Sequence, residues 1–401
     1  MELSKRIGFL VLLLLQMLTT SFAQARVQLG DERLLNEYSE VLKGKRIGIL
    51  AHYASRMGDG THIVDALRKR PDFTLSMIFS PEHGFRSIDD TTVTDSIDPI
   101  TNVQIYSLYG PRRAPTPEML AQIDLILVDL QDVGLRYYTY PATVSYLLRA
   151  AKLAGKPVYL LDRPNPIGAD LVEGSMLDAS MANGGLTTIA QIPTRTGMTL
   201  GETANYLNLE LKIGADLHVI AMSEYSRSLH WKDTGLPWIP SSPALVDPEQ
   251  VELYAILGTL EALEVASGRG IDNAQAFRRY GAPYFTESKT RELINQLKLP
   301  GLSFTYTEWM PDRSKFMGQL CRGFQVQVID PAQVQSLRSL IVVLQALQSA
   351  YGPQLQMPKA LEMLGSAWLL DGVTNSKNVS ELVIRAKDQL GPYLVKRKAA
   401  L

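Results

Sequence analysis

The chain alternates short apolar runs with helical patterns, and this alternation restricts its fold more than any other feature. The runs are rich in branched side chains and have the length of single strands, at residues 45–51, 73–79, 124–130, 157–161 and 217–222. Apolar residues at helical spacing lie between them, as in the stripe that runs from Pro141 to Gly155. Strands that alternate with helices form a mostly parallel sheet with helices on both faces. The sequence therefore predicts an α/β fold.

A different pattern begins near Asp247, after a Pro-rich stretch at residues 236–248. Strands and helices no longer alternate there. One strand candidate at 324–329 follows a helical pattern at 248–265 and precedes two more, at 332–350 and 379–390. We predict two domains after the first 25 residues. The first is the α/β domain over residues 26–246, and the second is a smaller α+β domain over residues 247–401.

The first 25 residues have the pattern of an export signal. Lys5 and Arg6 precede an apolar run of about 12 residues, and small residues that end at Ala23 and Ala25 follow it. The run is shorter than the roughly 20 residues that a membrane-spanning helix needs. We predict a signal peptide over residues 1–25, cleaved after Ala23 or Ala25, and an exported protein, periplasmic or secreted, with no integral membrane span. An uncleaved anchor is the alternative.

Composition and missing motifs exclude several classes of function. Forty Lys plus Arg balance 41 Asp plus Glu, and the net charge of −1 provides no basic field for nucleic acid. The single cysteine, Cys321, excludes an intramolecular disulfide and a multi-cysteine metal site. The motifs of nucleotide binding, serine hydrolases and zinc proteases are absent. We predict no cofactor and no metal. One loop is acidic, with Asp89, Asp90, Asp95 and Asp98, and we interpret it as a solvated loop. Binding of a hard cation is the alternative role of this loop.

Three of the predicted strands end in polar loops marked by Gly and Pro, at residues 80–85, 131–140 and 162–174. Ligands bind beyond the carboxyl ends of the strands in open α/β sheets, so these loops are expected to form one rim. The polar and aromatic residues that they bring there are Glu82, His83, Asp132, Arg136, Tyr137, Tyr138, Arg163, Asn165 and Glu173. We predict the functional site at this rim.

Carboxylates are the reactive groups that remain once nucleophile and metal motifs are set aside. Glycoside hydrolysis uses a protonated carboxyl at the leaving oxygen and a second carboxylate, or a substitute for it, near the anomeric carbon. Glu82 lies between apolar Pro81 and Phe85, which is a suitable setting for the acid of such a pair. A structural role is the alternative for Glu82 and for Glu173, because either side chain can cap a turn or pair with an arginine.

A series of motifs then gives the chain a resemblance to a known family. The motifs SPEHGF, YSLYG, DLQDVGLRYYTY, LDRPNP, VEG, GMTLGE, GLPW and GRG occur in the order found in exo-β-N-acetylmuramidases of the NamZ type. The resemblance extends from about Gly44 to the C-terminus and is densest between Ser80 and Trp238. It implies a secreted or periplasmic enzyme with a Rossmann-like domain and a smaller domain around a cleft. Such enzymes remove N-acetylmuramic acid from the non-reducing ends of peptidoglycan chains.

The resemblance also implies roles for individual residues. The glutamates of the PEHG and VEG motifs are Glu82 and Glu173, the implied catalytic carboxylates. The substrate's lactyl carboxylate suits a guanidinium, and the candidates are Arg136, Arg163, Arg195 and Arg269. The aromatic candidates for stacking on the sugar are Tyr137, Tyr138 and Trp238. The further substrate-binding candidates are His83, Asp132 and Asn165. Ordinary packing is the alternative for the tyrosines, and surface solvation is the alternative for each arginine.

Three departures from the family pattern bear on activity. Thr196 stands where a histidine is usual, Ala244 where an asparagine is usual, and the segment Ala266–Ile271 lacks a carboxylate and a hydroxyl of its motif. Each lost hydrogen bond to a sugar costs about 1 kcal/mol. Two functions therefore remain for a divergent member: an active exo-acting glycosidase on a peptidoglycan-derived sugar or muropeptide, or a non-catalytic or retuned binder of such fragments. A generic solute-binding protein is disfavoured because the two domains are unequal.

Overall fold

The structure is a computed structural model that describes residues 26–87 and 94–401 of the chain. The predicted signal peptide lies outside these residues, as do Asp89 and Asp90 of the acidic loop. Within the two described ranges, every helix is too short or too polar to cross a membrane.

The strands fall into three sheets. In chain order they are β1 (Arg46–Ala51), β2 (Thr74–Ser80), β3 (Ser96–Ile97), β4 (Gln104–Ser107), β5 (Leu125–Asp129), β6 (Val158–Leu161), β7 (Glu173–Met176), β8 (Pro193–Arg195), β9 (Leu217–Ile220), β10 (Arg279–Ala282), β11 (Leu302–Trp309) and β12 (Cys321–Val328). The α-helices are α1 (Gly30–Glu37), α2 (Ile63–Arg68), α3 (Pro117–Leu120), α4 (Tyr140–Ala154), α5 (Leu200–Glu210), α6 (Pro248–Leu257), α7 (Glu287–Gln296), α8 (Ser336–Tyr351), α9 (Leu361–Leu364), α10 (Ala367–Thr374), α11 (Val379–Asp388) and α12 (Gly391–Arg397).

The largest sheet has seven strands in the order β3-β4-β2-β1-β5-β6-β9. All neighbouring strands in it are parallel except the short edge strand β3, which runs antiparallel to β4. Numbered among themselves, the parallel strands have the order 3-2-1-4-5-6 that defines Rossmann folds. The strand order reverses between β1 and β5, and this topological switch point is where ligands bind in such sheets.

Both faces of this sheet are buried, because successive side chains of a strand point to opposite faces. Leu127 of β5 packs in the same cluster as Leu34 of α1 and Val64 of α2. Its neighbour Val128 packs in a second cluster that includes Leu147 of α4. The central strands therefore appear in the sequence as continuous apolar runs, and the predicted α/β fold with helices on both faces is confirmed.

The C-terminal domain is built on the antiparallel sheet β10-β12-β11 and the helices α6 to α12. Its core is continuous with that of the first domain, because Phe324 of β12 and Leu344 of α8 belong to the same buried cluster as Val128. The predicted second, smaller α+β domain is confirmed, while the exact boundary at residues 246/247 stays a prediction. Strands β7 and β8 form a small antiparallel sheet that is separate from the other two sheets.

Five predicted strands are confirmed with ends shifted by one or two residues, namely β1, β2, β5, β6 and β9. The helix predicted over 248–265 is only partly right. The α-helix α6 ends at Leu257, and a 3₁₀ turn continues from Gly258 to Ala262. Glycine has a low helix propensity, which explains why the α-helix ends there.

Candidate active site

A buried histidine joins the two strands at the switch point. His52 follows β1, and its Nε2 accepts a hydrogen bond from the backbone N–H of Gln131, which follows β5, at 2.9 Å. Because Nε2 is an acceptor, the proton lies on Nδ1, which donates to the Tyr140 hydroxyl at 3.0 Å. Burial, and then the nearby charge of Arg163, lowers the pKa of His52 well below its usual value. His52 is therefore a neutral structural link between the loops.

Glu82 lies beside this link, at the carboxyl end of β2. The turn that presents it has two successive residues with positive φ, His83 at 70° and Gly84 at 89°. The half-buried carboxylate accepts a hydrogen bond from the Thr139 hydroxyl at 2.7 Å. Thr139 immediately precedes α4, so the Glu82 carboxylate lies beside the N-terminus of a 15-residue helix.

Asp132, from the loop after β5, is a second carboxyl group in this region. Its side chain is buried, and Oδ2 accepts a hydrogen bond from the Gly134 N–H at 2.8 Å. Oδ1 has no hydrogen-bond partner in the part of the chain that the structure describes. Burial raises the pKa of Asp132 to about 7. The group therefore holds its proton over much of the acidic range, unlike an exposed aspartate.

Two tyrosines complete what we call the switch-point cluster, which consists of His52, Glu82, Asp132, Tyr138 and Tyr140. The hydroxyls of both tyrosines donate to the Ser241 carbonyl, at 3.0 and 3.1 Å. Burial is the main cause that raises the pKa of Tyr138, and the charges of Asp132 and Glu82 add to it. Both phenols are therefore neutral donors, and the cluster unites two predicted carboxyl groups with two aromatic side chains.

Glu173, the other predicted catalytic residue, belongs to a different group. It lies on β7 opposite Arg195 of β8, and Oε1 accepts a hydrogen bond from the Leu337 N–H in the first turn of α8 at 3.0 Å. Oε2 is shielded from solvent, has no hydrogen-bond partner within residues 26–87 and 94–401, and lies 3.9 Å from Arg195 Nη1. A groove of about 580 Å³ begins at this point, and its lining includes Glu173, Leu337, Arg338, Val383, Lys387 and Leu390.

The structure thus places the two predicted catalytic glutamates in separate settings. Glu82 contacts the start of α4, whereas Glu173 contacts the start of α8. Among the hydrogen bonds and ion pairs of the described residues, none gives these two carboxylates a shared partner. Their catalytic roles stay predictions.

Arg136 and Arg163 are both buried, and both guanidinium groups donate hydrogen bonds to acceptors inside the protein. The Arg136 guanidinium donates to the carbonyls of Thr187, Glu362 and Met363, at 2.9, 3.2 and 2.5 Å, and burial lowers its pKa to about 10. Arg163 donates to both carboxylate oxygens of Asp129 at 2.5 and 2.8 Å, to Asp31 at 2.7 Å and to the Arg56 carbonyl at 3.0 Å. The alternative of surface solvation is wrong for both residues.

Arg195 and Arg269 also have protein partners. Arg195 is buried and donates to the Ser336 hydroxyl at 3.1 Å and to the Ile167 carbonyl at 2.7 Å, so surface solvation is wrong for it too. The Arg269 guanidinium lies 3.4 Å from Glu261 and over the Phe277 ring. Binding of a lactyl carboxylate by any of the four arginines stays a prediction.

The remaining predicted binding residues support loops. The Tyr137 hydroxyl donates to the Tyr254 carbonyl at 2.9 Å, and the half-buried Trp238 donates to the Leu245 carbonyl at 3.0 Å. Asn165 donates to the Met198 carbonyl at 2.9 Å. Gly134 is required beside it, because a Cβ there would lie 2.2 Å from Asn165 Nδ2. Packing is thus the observed state of both tyrosines.

The three departures from the family pattern all fall on buried positions, namely Thr196, Ala244 and Ala266. Thr196 is held through its backbone, since its N–H donates to the Gly134 carbonyl and its carbonyl accepts from the Tyr393 hydroxyl. In this chain, therefore, position 196 contributes to the interior that supports the 131–140 loop.

The acidic loop is only partly solvated. Asp95 pairs with Arg112, and Asp98, which is completely buried, pairs with Arg86, each at 2.8 Å. The solvated interpretation is therefore wrong for Asp98, whose carboxylate is held in the interior by an arginine. Across the two described ranges, no group of three or more His, Cys, Asp or Glu side chains is arranged to hold a metal ion.

Four residues of the switch-point region escaped the sequence reasoning, namely His52, Thr139, Tyr140 and Ser241. His52 carries a recognisable signal, because it is a polar residue directly after a central strand. Thr139 precedes the predicted helix, so its place at a helix start was readable but its partner was not. Ser241 contributes only its backbone carbonyl, for which the residue type carries no signal.

Comparison with known proteins identifies similar chains over nearly the whole length. Residues 47–249 match the family model described as the N-terminal part of exo-beta-N-acetylmuramidase NamZ, and residues 252–401 match the model of its C-terminal part. The chain is 34% identical over 383 residues to the peptidoglycan beta-N-acetylmuramidase NamZ of Bacillus subtilis strain 168. This match covers 94% of this chain and 91% of the Bacillus protein.

Solved structures of similar fold come from Bacteroides fragilis. Two crystal structures of DUF1343 family proteins match with TM-scores of 0.84 and 0.72, each at 27% sequence identity. Each match covers 94% of this chain, and they cover 98% and 99% of the respective Bacteroides chains. The arrangement of both domains is therefore shared with experimentally determined structures.

Proposed function

The chain belongs to the NamZ family of exo-β-N-acetylmuramidases, and from this premise we propose that it is a glycosidase that removes N-acetylmuramic acid from the non-reducing ends of peptidoglycan fragments. Matches to both family models and to a peptidoglycan-acting relative over most of its length support this activity. The expected substrate is a peptidoglycan-derived sugar chain or muropeptide.

The observation that carries the proposal is the position of Glu82. It lies at the carboxyl end of β2, next to the switch point, with one carboxylate oxygen held by Thr139 at 2.7 Å. Its half-buried side chain leaves access for a ligand. A group at this position can contact the glycosidic bond of a ligand at the rim.

The proposed chemistry is acid catalysis of glycoside hydrolysis. Glu82 gives a proton to the leaving oxygen as the bond between that oxygen and the anomeric carbon breaks. Water then adds to the anomeric carbon. Its proton goes to the Glu82 carboxylate if the configuration is retained, or to a second carboxylate that acts as base if the configuration is inverted. The positive charge that develops on the sugar is stabilised either by a second carboxylate or by the substrate's own acetamido oxygen. The anomeric form of the first product distinguishes retention from inversion.

We also propose that the protein is exported. The order of basic residues, apolar run and small residues in the first 25 positions supports a cleaved signal peptide. N-terminal sequencing of the mature protein is expected to begin at Gln24 or Arg26. A mature chain that still begins at Met1 would contradict export by this route.

The test of activity is the hydrolysis of a chromogenic β-N-acetylmuramide between pH 5 and pH 8. We expect release by the wild-type protein and a loss of about 10²- to 10⁴-fold in kcat for Glu82→Gln, with unchanged thermal stability. Glu202→Gln is the matched control, because Glu202 caps α5 by accepting from the Thr199 N–H, a role that glutamine retains. Wild-type release no greater than that of Glu82→Gln would contradict catalysis.

Calorimetry separates the second candidate function from the first. The departures from the family pattern motivate this candidate, although Thr196, Ala244 and Ala266 are all buried. Saturable binding of muropeptides without product would identify a binder of peptidoglycan fragments, and absence of both binding and product would overturn both functions.

A further inference from the structure

Helix α8 of the C-terminal domain is capped by side chains of the other domain. The residue before it, Gln335, makes no side-chain cap. Instead, the Leu337 N–H donates to the Glu173 carboxylate at 3.0 Å, and the Ser336 hydroxyl accepts from Arg195 at 3.1 Å. A carboxylate that accepts from the first-turn amides of a helix satisfies an unpaired donor and matches the positive end of the helix dipole.

A cation plays the equivalent part at the end of the short helix α9. Arg136 donates to the carbonyls of Glu362 and Met363, the second and third residues of that four-residue helix. Gly365, which follows the helix with φ of 73°, makes room for the guanidinium, because a Cβ there would lie 2.7 Å from Arg136 Nη2. Each helix end therefore receives the charge that its dipole favours.

These contacts are linked to the switch-point cluster through the chain. Arg136 stands two residues before Tyr138, and between them the Tyr137 hydroxyl donates to the Tyr254 carbonyl of α6. The loop that carries Asp132 and Tyr138 is thus held by the C-terminal domain on one side. A shift of α8 or α9 against the first domain would move that loop.

We propose that Glu173 is a positioning residue, which together with Arg195 and Arg136 clamps the C-terminal domain against the active-site loops, and that it does not contact the substrate. The kinetic part of this inference rests on the proposed glycosidase function. The contacts of the carboxylate carry the argument: one oxygen is bound to the Leu337 N–H, and the other is shielded from solvent beside Arg195.

Two substitutions separate positioning from catalysis. Glu173→Gln keeps an oxygen that accepts from the Leu337 N–H, whereas Glu173→Ala removes it. We expect Glu173→Gln to retain kcat and KM within about threefold and to keep both limbs of the pH profile. Glu173→Ala is expected to raise KM by about tenfold, with kcat and the pH limbs retained, since a lost cap and a shifted domain act on binding geometry.

Hydrogen exchange provides a readout that does not need turnover. The Leu337 amide is expected to exchange about tenfold faster in Glu173→Ala than in the wild-type protein, and at close to the wild-type rate in Glu173→Gln. If the wild-type protein fails to cleave the chromogenic muramide, the proposed function fails. The exchange rates and the Kd for a muropeptide then still test whether Glu173 holds the C-terminal domain against the active-site loops.

Three results would overturn the inference. A loss of more than about 100-fold in kcat for Glu173→Gln, at unchanged thermal stability, would make Glu173 a catalytic carboxylate. Unchanged exchange of Leu337 in Glu173→Ala would show that the cap contributes nothing. Faster exchange with unchanged KM and Kd would reduce the clamp to a stabilising contact that has no influence on the site.

Discussion

Replacement of Arg163 tests whether this arginine supports the fold or faces the substrate. It follows β6 and is only 4% exposed, between two carboxylates that are 1% and 0% exposed, Asp31 of α1 and Asp129 of β5. Three hydrogen bonds of 2.5 to 2.8 Å join the guanidinium to them. In Arg163→Met both carboxyl groups stay buried without a cation. The apolar stem of the side chain is retained, so the lost charge is the dominant change.

The expected magnitude follows from the burial of all three groups. Removing one partner of a buried ion pair costs about 3 to 5 kcal/mol, because the other charge is left uncompensated. We therefore expect the folding equilibrium constant of Arg163→Met to fall by about two to four orders of magnitude. KM of the folded fraction is expected to stay within about threefold of the wild-type value, because no ligand contact is lost.

Urea unfolding at pH 7, followed by circular dichroism and by tryptophan fluorescence, measures this loss. Arg46→Met is the matched control, because Arg46 pairs with Asp124 at a similar distance of 2.8 Å but on the exposed surface, and we expect little change there. Adding Asp31→Asn to Arg163→Met is expected to restore part of the stability, since one buried charge is removed. A wild-type unfolding midpoint for Arg163→Met combined with a KM raised tenfold or more would refute this reasoning and place Arg163 at the substrate.

Two further predictions concern pH. Burial, and then the charge of Arg86, lowers the pKa of His62 to about 4, so folding excludes a proton that the unfolded chain binds below about pH 6.5. Stability is expected to fall as pH drops from 6.5 to 4, by at most about 3 kcal/mol from this group, and the urea midpoint of His62→Gln is expected to fall less steeply than that of the wild-type protein. Burial raises the pKa of Asp132 to about 7, so stability from this group is lost as pH rises from about 4 through 7. The stability of Asp132→Asn relative to that of the wild-type protein is therefore expected to increase between pH 4.5 and pH 8, by up to about 4 kcal/mol. The same stability difference between the two proteins at both pH values would contradict the buried, protonated carboxyl.

The parts of the fold that the sequence predicted are those whose burial is complete on both sides. Strands β1 and β5 are apolar along almost their whole length, because helices cover both faces of the sheet. Strands β7 and β8 could not be predicted in the same way. Their sequences, EGSM and PTR, contain no apolar run, and apart from pairing with each other they are joined to the 131–140 loop only by an isolated bridge between Arg195 and Leu135 within the described residues.

The candidate site was predictable in its location but not in its contacts. The carboxyl ends of parallel strands meet at one edge, which is sufficient to bring Glu82 and Asp132 to the same region. The direction of an arginine depends on partners far along the chain. Arg163 meets Asp31 across 132 positions and Arg136 meets Met363 across 227, so residue type and motif alone left each arginine free to face solvent, substrate or core.

Capping between the domains also has a consequence for the order of folding during synthesis. Glu173 precedes its partner Leu337 by 164 positions, so the β7-β8 hairpin leaves the ribosome long before α8 does. Domains generally fold as units and the N-terminal one folds first, so the acceptor for the Leu337 amide is already in place when that helix emerges. The first domain then serves as a template on which the second completes its helices. Transposing the two halves of the gene would reverse the order of synthesis and remove this advantage.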